Sequence, residues 1–117
     1  MSTYGKSLAL FLLFFGEFFG IYMEMTAAHL PAWNSVTTIS LWKTSIGMTI
    51  AGLALLSGYY IGYKVFQSIW IVTVVSVTSI LIIEPILAYL FFHELPNRGS
   101  LVGLIFGSLG LLATILL

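Results

Sequence analysis

Long apolar runs separated by three short polar or turn-forming breaks organise this chain. The first run occupies positions 8–28, after the polar start Ser2-Thr3-Tyr4-Gly5-Lys6-Ser7. A signal peptide has a shorter apolar stretch and ends in a small-residue cleavage site. This run carries Phe11, Phe14, Phe15, Phe18 and Phe19 with no such site after it, so a retained helix is expected. His29-Leu30-Pro31-Ala32-Trp33-Asn34-Ser35 ends it: Pro31 stops a helix, Trp33 suits an interface, and Asn34 or Ser35 is suited to cap the next one. A second helix is expected over 36–57. It holds Lys43 one to two turns in, where the alkyl stem lets the ammonium snorkel to the headgroups. Gly58-Tyr59-Tyr60-Ile61-Gly62-Tyr63-Lys64 reads as a tight interfacial turn with an aromatic belt.

A third helix over 65–92 would be about 42 Å long at about 1.5 Å per residue. The hydrocarbon core is only about 30 Å thick, so such a helix must tilt, protrude or break. Pro85 is the place for a kink, because it removes the bond to the carbonyl of Leu81. The turn His93-Glu94-Leu95-Pro96-Asn97-Arg98-Gly99 is the most polar stretch, and a fourth helix is expected over 100–117.

Composition fixes the solvent. Of 117 residues, 60% are apolar and 7% are charged, four Lys/Arg and four Glu, with no Cys. Soluble domains are about 25% charged, so a soluble globular domain, a disordered segment and a nucleic-acid binder with a basic face are all excluded. The absence of Cys removes disulfide scaffolds, thiol catalysis and Cys-based metal sites. The expected class is all-α: an integral membrane four-helix bundle, forming one domain over 1–117. Four helices put both termini on one side. Lys6 and Lys64 then flank that side, and Arg98, joined by Lys43, the other. That is nearly no positive-inside bias. Either so few charges carry no orientation signal, or the chain inserts both ways, as an antiparallel homodimer requires.

Glu17 is the strongest chemical signal. It lies near the middle of the first run, where a carboxylate is costly and faces a bundle interior or a watery cavity. A carboxyl there is suited to exchange a proton for a cationic ligand; the plainer alternative is a neutral Glu hydrogen-bonded to a neighbouring helix. Phe14, Gly20, Ile21 and Glu24 share its helix face by spacing. Gly20 permits close approach, and Glu24 is either a second carboxylate of the same pathway or a solvated group near the helix end. Glu84, just before Pro85, makes a secondary polar site or a hinge, or pairs with Lys43 at similar depth. Lys64, Gln67, Ser68 and Trp70 put an aromatic beside polar groups, which suits a cavity for cationic or amphipathic molecules or an interfacial Trp. Gly103, Gly107 and Gly110 give the fourth helix a small-residue face, the mark of a helix–helix interface in lipid, within one chain or between two. Neither His has companions at metal spacing. No nucleophilic triad or phosphate-binding loop is present, so neither an enzyme, a metal site nor a cofactor is expected.

The chain resembles the drug/metabolite transporter superfamily, most nearly its four-helix small multidrug resistance exporters. The resemblance covers nearly the whole length. It is most specific at Phe91-Phe92-His93-Glu94-Leu95-Pro96 and Val102-Gly103-Leu104-Ile105-Phe106-Gly107-Ser108-Leu109-Gly110, which are similar to the closing loop and last helix, with the dimer-forming glycines seven apart. Gly16-Glu17-Phe18-Phe19-Gly20 is similar to the family's Glu-x-x-Gly, Trp33-Asn34-Ser35-Val36 to its Trp-Pro-Ser, and Ser68-Ile69-Trp70 to its Ala-Ile-Trp. Gln67 stands where the family has Tyr. The family's Pro before the third helix is missing, the stretch from Trp70 to Glu94 is longer, and Glu84-Pro85 looks more like larger members of the superfamily. The resemblance implies a proton-coupled exporter of small cationic or amphipathic compounds. Its substrate and proton site would be Glu17, Gly20, Gln67 and Trp70. It would act as a homodimer, or with a related four-helix partner, in a bacterial or archaeal inner (plasma) membrane. A flippase-like unit for a lipid-linked metabolite, favoured by the long third helix and the lost Tyr, and a non-transporting subunit of a larger complex are the alternatives.

Overall fold

A computed structural model describes residues 2–30 and 35–117. It contains four helices and, among the described residues, no strand: α1 Ser2–Ala28, α2 Ser35–Phe66, α3 Ile69–Phe92 and α4 Arg98–Leu116. All four include a stretch long and apolar enough to cross a membrane. The all-α four-helix bundle and the multi-pass membrane class follow. Pro31, Trp33 and Asn34 lie outside the described residues, and Ser35 is the first residue of α2.

The middle of the chain departs most from expectation. Gly58 to Lys64 is not a turn but continuous helix, and α2 runs on to Phe66. The third helix therefore begins at Ile69 rather than at 65 and has 24 residues. At about 36 Å it is only slightly longer than the hydrocarbon core. The length argument for a flippase-like unit falls with it. The over-long helix is α2, with 32 residues, and the 48 Å long axis of the molecule carries its ends beyond an apolar layer about 30 Å thick. The real break is Gln67-Ser68. Gln67 takes a left-handed φ of 56°, and the extended Ser68 accepts a hydrogen bond on its hydroxyl from the Ile71 N–H. Gln67 and Ser68 thus belong to the turn, and Lys64 to the last turn of α2.

Gly58 and Gly62 are in helix because they are packing residues. α1 and α2 run antiparallel along a seam of small side chains. Passing along it, Gly5 meets Val65, Leu13 meets Gly58, Gly16 meets Leu55 and Ala51, Gly20 meets Ala51 and Met48, and Met23 meets Gly47. A Cβ on Gly58 would stand 3.1 Å from the backbone N of Leu13, and one on Gly16 would stand 3.2 Å from the carbonyl O of Ala51. In lipid, helices gain little by hiding apolar surface from one another, so close backbone approach at small residues supplies the attraction. At one end Ala9, Gly62 and Val72 close the three-helix junction: a Cβ on Gly62 would lie 3.0 Å from Val72, and Ala9 and Val72 are wholly buried. Towards the other end Ile21, Ile83 and Leu87 form an apolar plug between α1 and α3, flanked by Met25, Ile80 and Phe91.

α4 stands apart. Among the described residues it packs only on α3, and none of its own residues is buried. His93 ends α3 in the left-handed conformation, and Asn97 caps α4 by accepting from the Ser100 N–H at 2.8 Å. With so little else holding α4, its cap matters. Asn97→Ala is expected to lower stability by about 1 kcal/mol, read as a fall in the thermal midpoint of protein purified in detergent.

Candidate functional site

Glu17 lies near the centre of the membrane-crossing part of α1, Thr3–Ala28. It is half-buried. The seam just described explains why it points where it does. Gly16 and Gly20 turn towards α2; the intervening Glu17 turns towards α3, where the Ser76 hydroxyl donates to Oε1 of its carboxylate. Ser76 itself is buried. The apolar plug of Ile21, Ile83 and Leu87 begins one turn further along. The carboxylate therefore sits at mid-membrane between two helices, sealed on the side of the His93 turn.

Several other hydroxyls bond locally. Ser79 donates to the Val75 carbonyl, Thr78 to Val74, Thr44 to Leu41, Ser45 to Leu41 and Thr49 to Ser45. Each thereby satisfies itself within its own helix. Ser76 alone among the described residues reaches another helix by a side-chain hydrogen bond to a carboxylate. No cationic side chain joins Glu17 among the described residues. A carboxyl so placed can hold a proton or face a cation, and the single hydroxyl orients it without neutralising it.

The expected companions of Glu17 are only partly assembled. The shared face of Phe14, Glu17, Gly20, Ile21 and Glu24 is divided: Gly20 packs on α2, Ile21 on α3, and Phe14 and Glu24 are exposed. Gln67 and Trp70 lie at the opposite end of α3 from its plug, and Trp70 is 74% exposed. In the single chain they do not meet Glu17. Lys43 and Glu84 are both exposed, without an ion pair between them. Lys6 lies 5.7 Å from the Phe66 ring centroid and Lys64 5.4 Å from that of Tyr60, so these two cations share one end of the bundle. The His29 ring meets Phe91 and Phe92 at the other.

Gly103 and Gly110 have no neighbour within 4 Å of a Cβ position, and Gly107 has only Leu81, at 3.8 Å. The glycine face of α4 is therefore not a tight contact within one chain.

Between α3 and α4 lies a cavity of ≈ 790 Å³. Glu84, Pro85, Tyr89, Phe92, Glu94 and Gly103 are among its lining residues, whereas Glu17 is not. Glu84 and Glu17 thus belong to separate sites. Glu94 is exposed in the turn after α3 and also lines this cavity. Sequence reasoning missed Ser76. The Val72–Ile83 stretch also holds Thr73, Thr78 and Ser79, so nothing in it singles out Ser76 as the hydroxyl that crosses to α1. Among the described residues no three His, Asp or Glu side chains gather as a metal group would require.

No family model matches the chain, and comparison with curated proteins and with solved structures finds no match either.

Proposed function

We propose that this chain is a proton-coupled membrane transporter, an exporter of small cationic or amphipathic compounds, with Glu17 as the group that exchanges a proton for the substrate. The observation that carries the proposal is the mid-membrane Glu17 carboxylate, oriented by the Ser76 hydroxyl and left without a cation. An intramembrane carboxylate is expensive to keep, and proton–cation exchange gives a reason for keeping it. The protonated form is neutral in the empty site, and the cation replaces the proton when substrate enters. Each state avoids an isolated charge in lipid.

The resemblance to small multidrug resistance exporters supports the same chemistry. The unused glycine face of α4 supports a second subunit, either another copy or a related four-helix chain. Alternating access would then come from two subunits rocking about the midplane, in the inner membrane of a bacterium or archaeon. Gln67 and Trp70, remote from Glu17 in one chain, would contribute to substrate binding only through such an assembly.

The test is proton release from purified protein in weakly buffered detergent solution, on adding quaternary ammoniums, guanidinium compounds and polyamines. Release of up to one proton per Glu17 with at least one of these is expected. A folded protein that releases none with any member of the panel would overturn the proposal.

A further inference from the structure

The outer face of α2 and the α3–α4 side of the bundle are complementary in charge, yet they do not meet within one chain. We propose that they form an interface between two copies of the chain lying in the same orientation in the membrane, with Trp42 and Lys43 of each copy seated between α3 and α4 of the other.

Glu84 requires a partner. It is exposed and lies about 12 Å along the helix from the end of α3, within the apolar layer. Among the described residues no cation pairs with it. A carboxylate at that depth is costly unless a cation or a polar cavity meets it. The chain has four Lys and Arg residues. Lys6 and Lys64 sit at the far end of the bundle. Arg98 opens α4 in the polar turn and is not in the cavity wall. Lys43 is left, itself exposed and unpaired among the described residues.

Lys43 has the right depth. Gly47 meets Met23, and Lys43 lies one helical turn beyond Gly47, level with Ala27 of α1. His29 meets Phe91 and Phe92, so Ala27 is level with Tyr89 of α3. Lys43 is therefore about five residues, or roughly 8 Å, from Glu84 on one side and from Glu94 on the other. Its flexible stem reaches along the helix in either direction.

The surroundings match as well. Trp42 is 68% exposed, and Ile39 and Ile46 are exposed one turn to either side of it, on the same helix face. The cavity of ≈ 790 Å³ is lined by Glu84 and Glu94 and by no Lys, Arg or His. Asn97 and Ser100 add an amide and a hydroxyl, but no charge to balance the carboxylates. Tyr89 and Phe92 line it too, and such rings suit an ammonium or an indole. Ala88 and Gly103 keep the wall low, which lets another helix come close.

The arrangement closes on itself. α1 packs on both α2 and α3, and α4 packs on α3, so the helices form a row, 17 Å through its thinnest direction. Two such rows stacked about a two-fold axis along the membrane normal bring the α2 edge of each against the α3–α4 edge of the other. Every residue stays at its own depth. The interface is isologous, and the Lys43 contact is made twice. A two-fold axis in the membrane plane would carry Lys43 to the opposite leaflet from Glu84. The second subunit of the transporter reading is then another copy of the chain, and this inference stands whether or not Glu17 exchanges a proton.

The full chain is purified in mild detergent and its mass followed on dilution by light scattering. Wild type is expected to be a dimer. Lys43→Glu and Glu84→Lys should each raise the dimer dissociation constant at least about tenfold. Combined in one chain, they should return it to within about threefold of wild type, whereas Lys43→Glu combined with Glu24→Lys should not. Orientation is read by cross-linking, which leaves both charges in place and does not depend on how the charge variants fold. The chain has no Cys. Trp42→Cys in one copy and Ala88→Cys in a differently tagged copy should form a disulfide when membranes are oxidised with copper phenanthroline. Trp42→Cys with Ile71→Cys, which reports an antiparallel pair, should not. A monomeric wild type, a dimer indifferent to Lys43→Glu, a charge swap that folds without rescue, or a cross-link from position 42 to position 71 would each overturn the inference. Proton release is a separate readout: its absence from such a dimer removes the Glu17 proposal and leaves this one.

Discussion

Gly58→Leu is expected to break the α1–α2 seam and cost roughly 3 kcal/mol or more of stability, at or above the upper end for overpacking a tight contact. The position leaves no route for accommodation. A Cβ there would already stand 3.0 Å from the Leu13 side chain and 3.1 Å from the backbone N of Leu13. The side chain can rotate away, but the backbone can move only if the helices part. Once they part, Gly16 against Ala51 and Gly62 against Ala9 lose their contact as well, because all lie along the same α1–α2 surface. Gly52 is the control on the same helix: a Cβ there meets nothing within 4 Å. Gly52→Ala is expected to be neutral or stabilising by up to about 1 kcal/mol, through helix propensity. Thermal unfolding in detergent and the monodisperse fraction on gel filtration read both. A Gly58→Leu protein as stable as wild type would mean that the seam does not hold the bundle together.

The same glycines show where the sequence was legible and where it was not. Four apolar runs were plain, because lipid imposes length and hydrophobicity on every span. The location of the second break was not. Gly58, Gly62 and three tyrosines look like a turn by the rules of soluble proteins, where glycine breaks helices. In a membrane helix the same spacing marks close packing, and only the opposing Leu13 and Ala9 of α1 reveal which use applies. The cue for the true break was more modest: Ser68, an N-cap residue directly before a long β-branched run.

Glu17 was legible for a related reason. One carboxyl in a long apolar run has few innocent explanations. Its partner Ser76 was not, since nothing in a linear sequence says which faces of α1 and α3 meet. The α3–α4 cavity was harder still. It joins Glu84, beside Pro85, to Glu94 of the polar turn, and that union depends on how α4 leans on α3.

Glu17→Gln is expected to reduce cation-induced proton release to the buffer baseline while the protein stays folded. The reason is chemical: an amide has no carboxyl proton to release at any cation concentration, so the loss is complete rather than partial. The fold is spared because the amide oxygen can still accept from the Ser76 hydroxyl that now donates to Oε1, and because the side chain keeps its length beside the Ile21, Ile83 and Leu87 plug. Ser76→Ala makes the contrasting variant. It removes the orienting hydrogen bond and leaves the carboxyl, so release persists but needs more cation. A hydrogen bond to a charged group contributes about 1.5–3 kcal/mol, part of which water entering the half-buried site would restore. A rise of roughly tenfold in the half-saturating concentration is therefore expected, at about 1.4 kcal/mol per factor of ten. The two variants together separate the group that carries the proton from the group that aims it. Full release from the folded Glu17→Gln protein would move the proton to Glu24, Glu84 or Glu94 and remove the basis for assigning exchange to α1. Baseline release from Ser76→Ala, with Glu17 intact, would instead make the hydroxyl part of the proton's route rather than a support for the carboxylate.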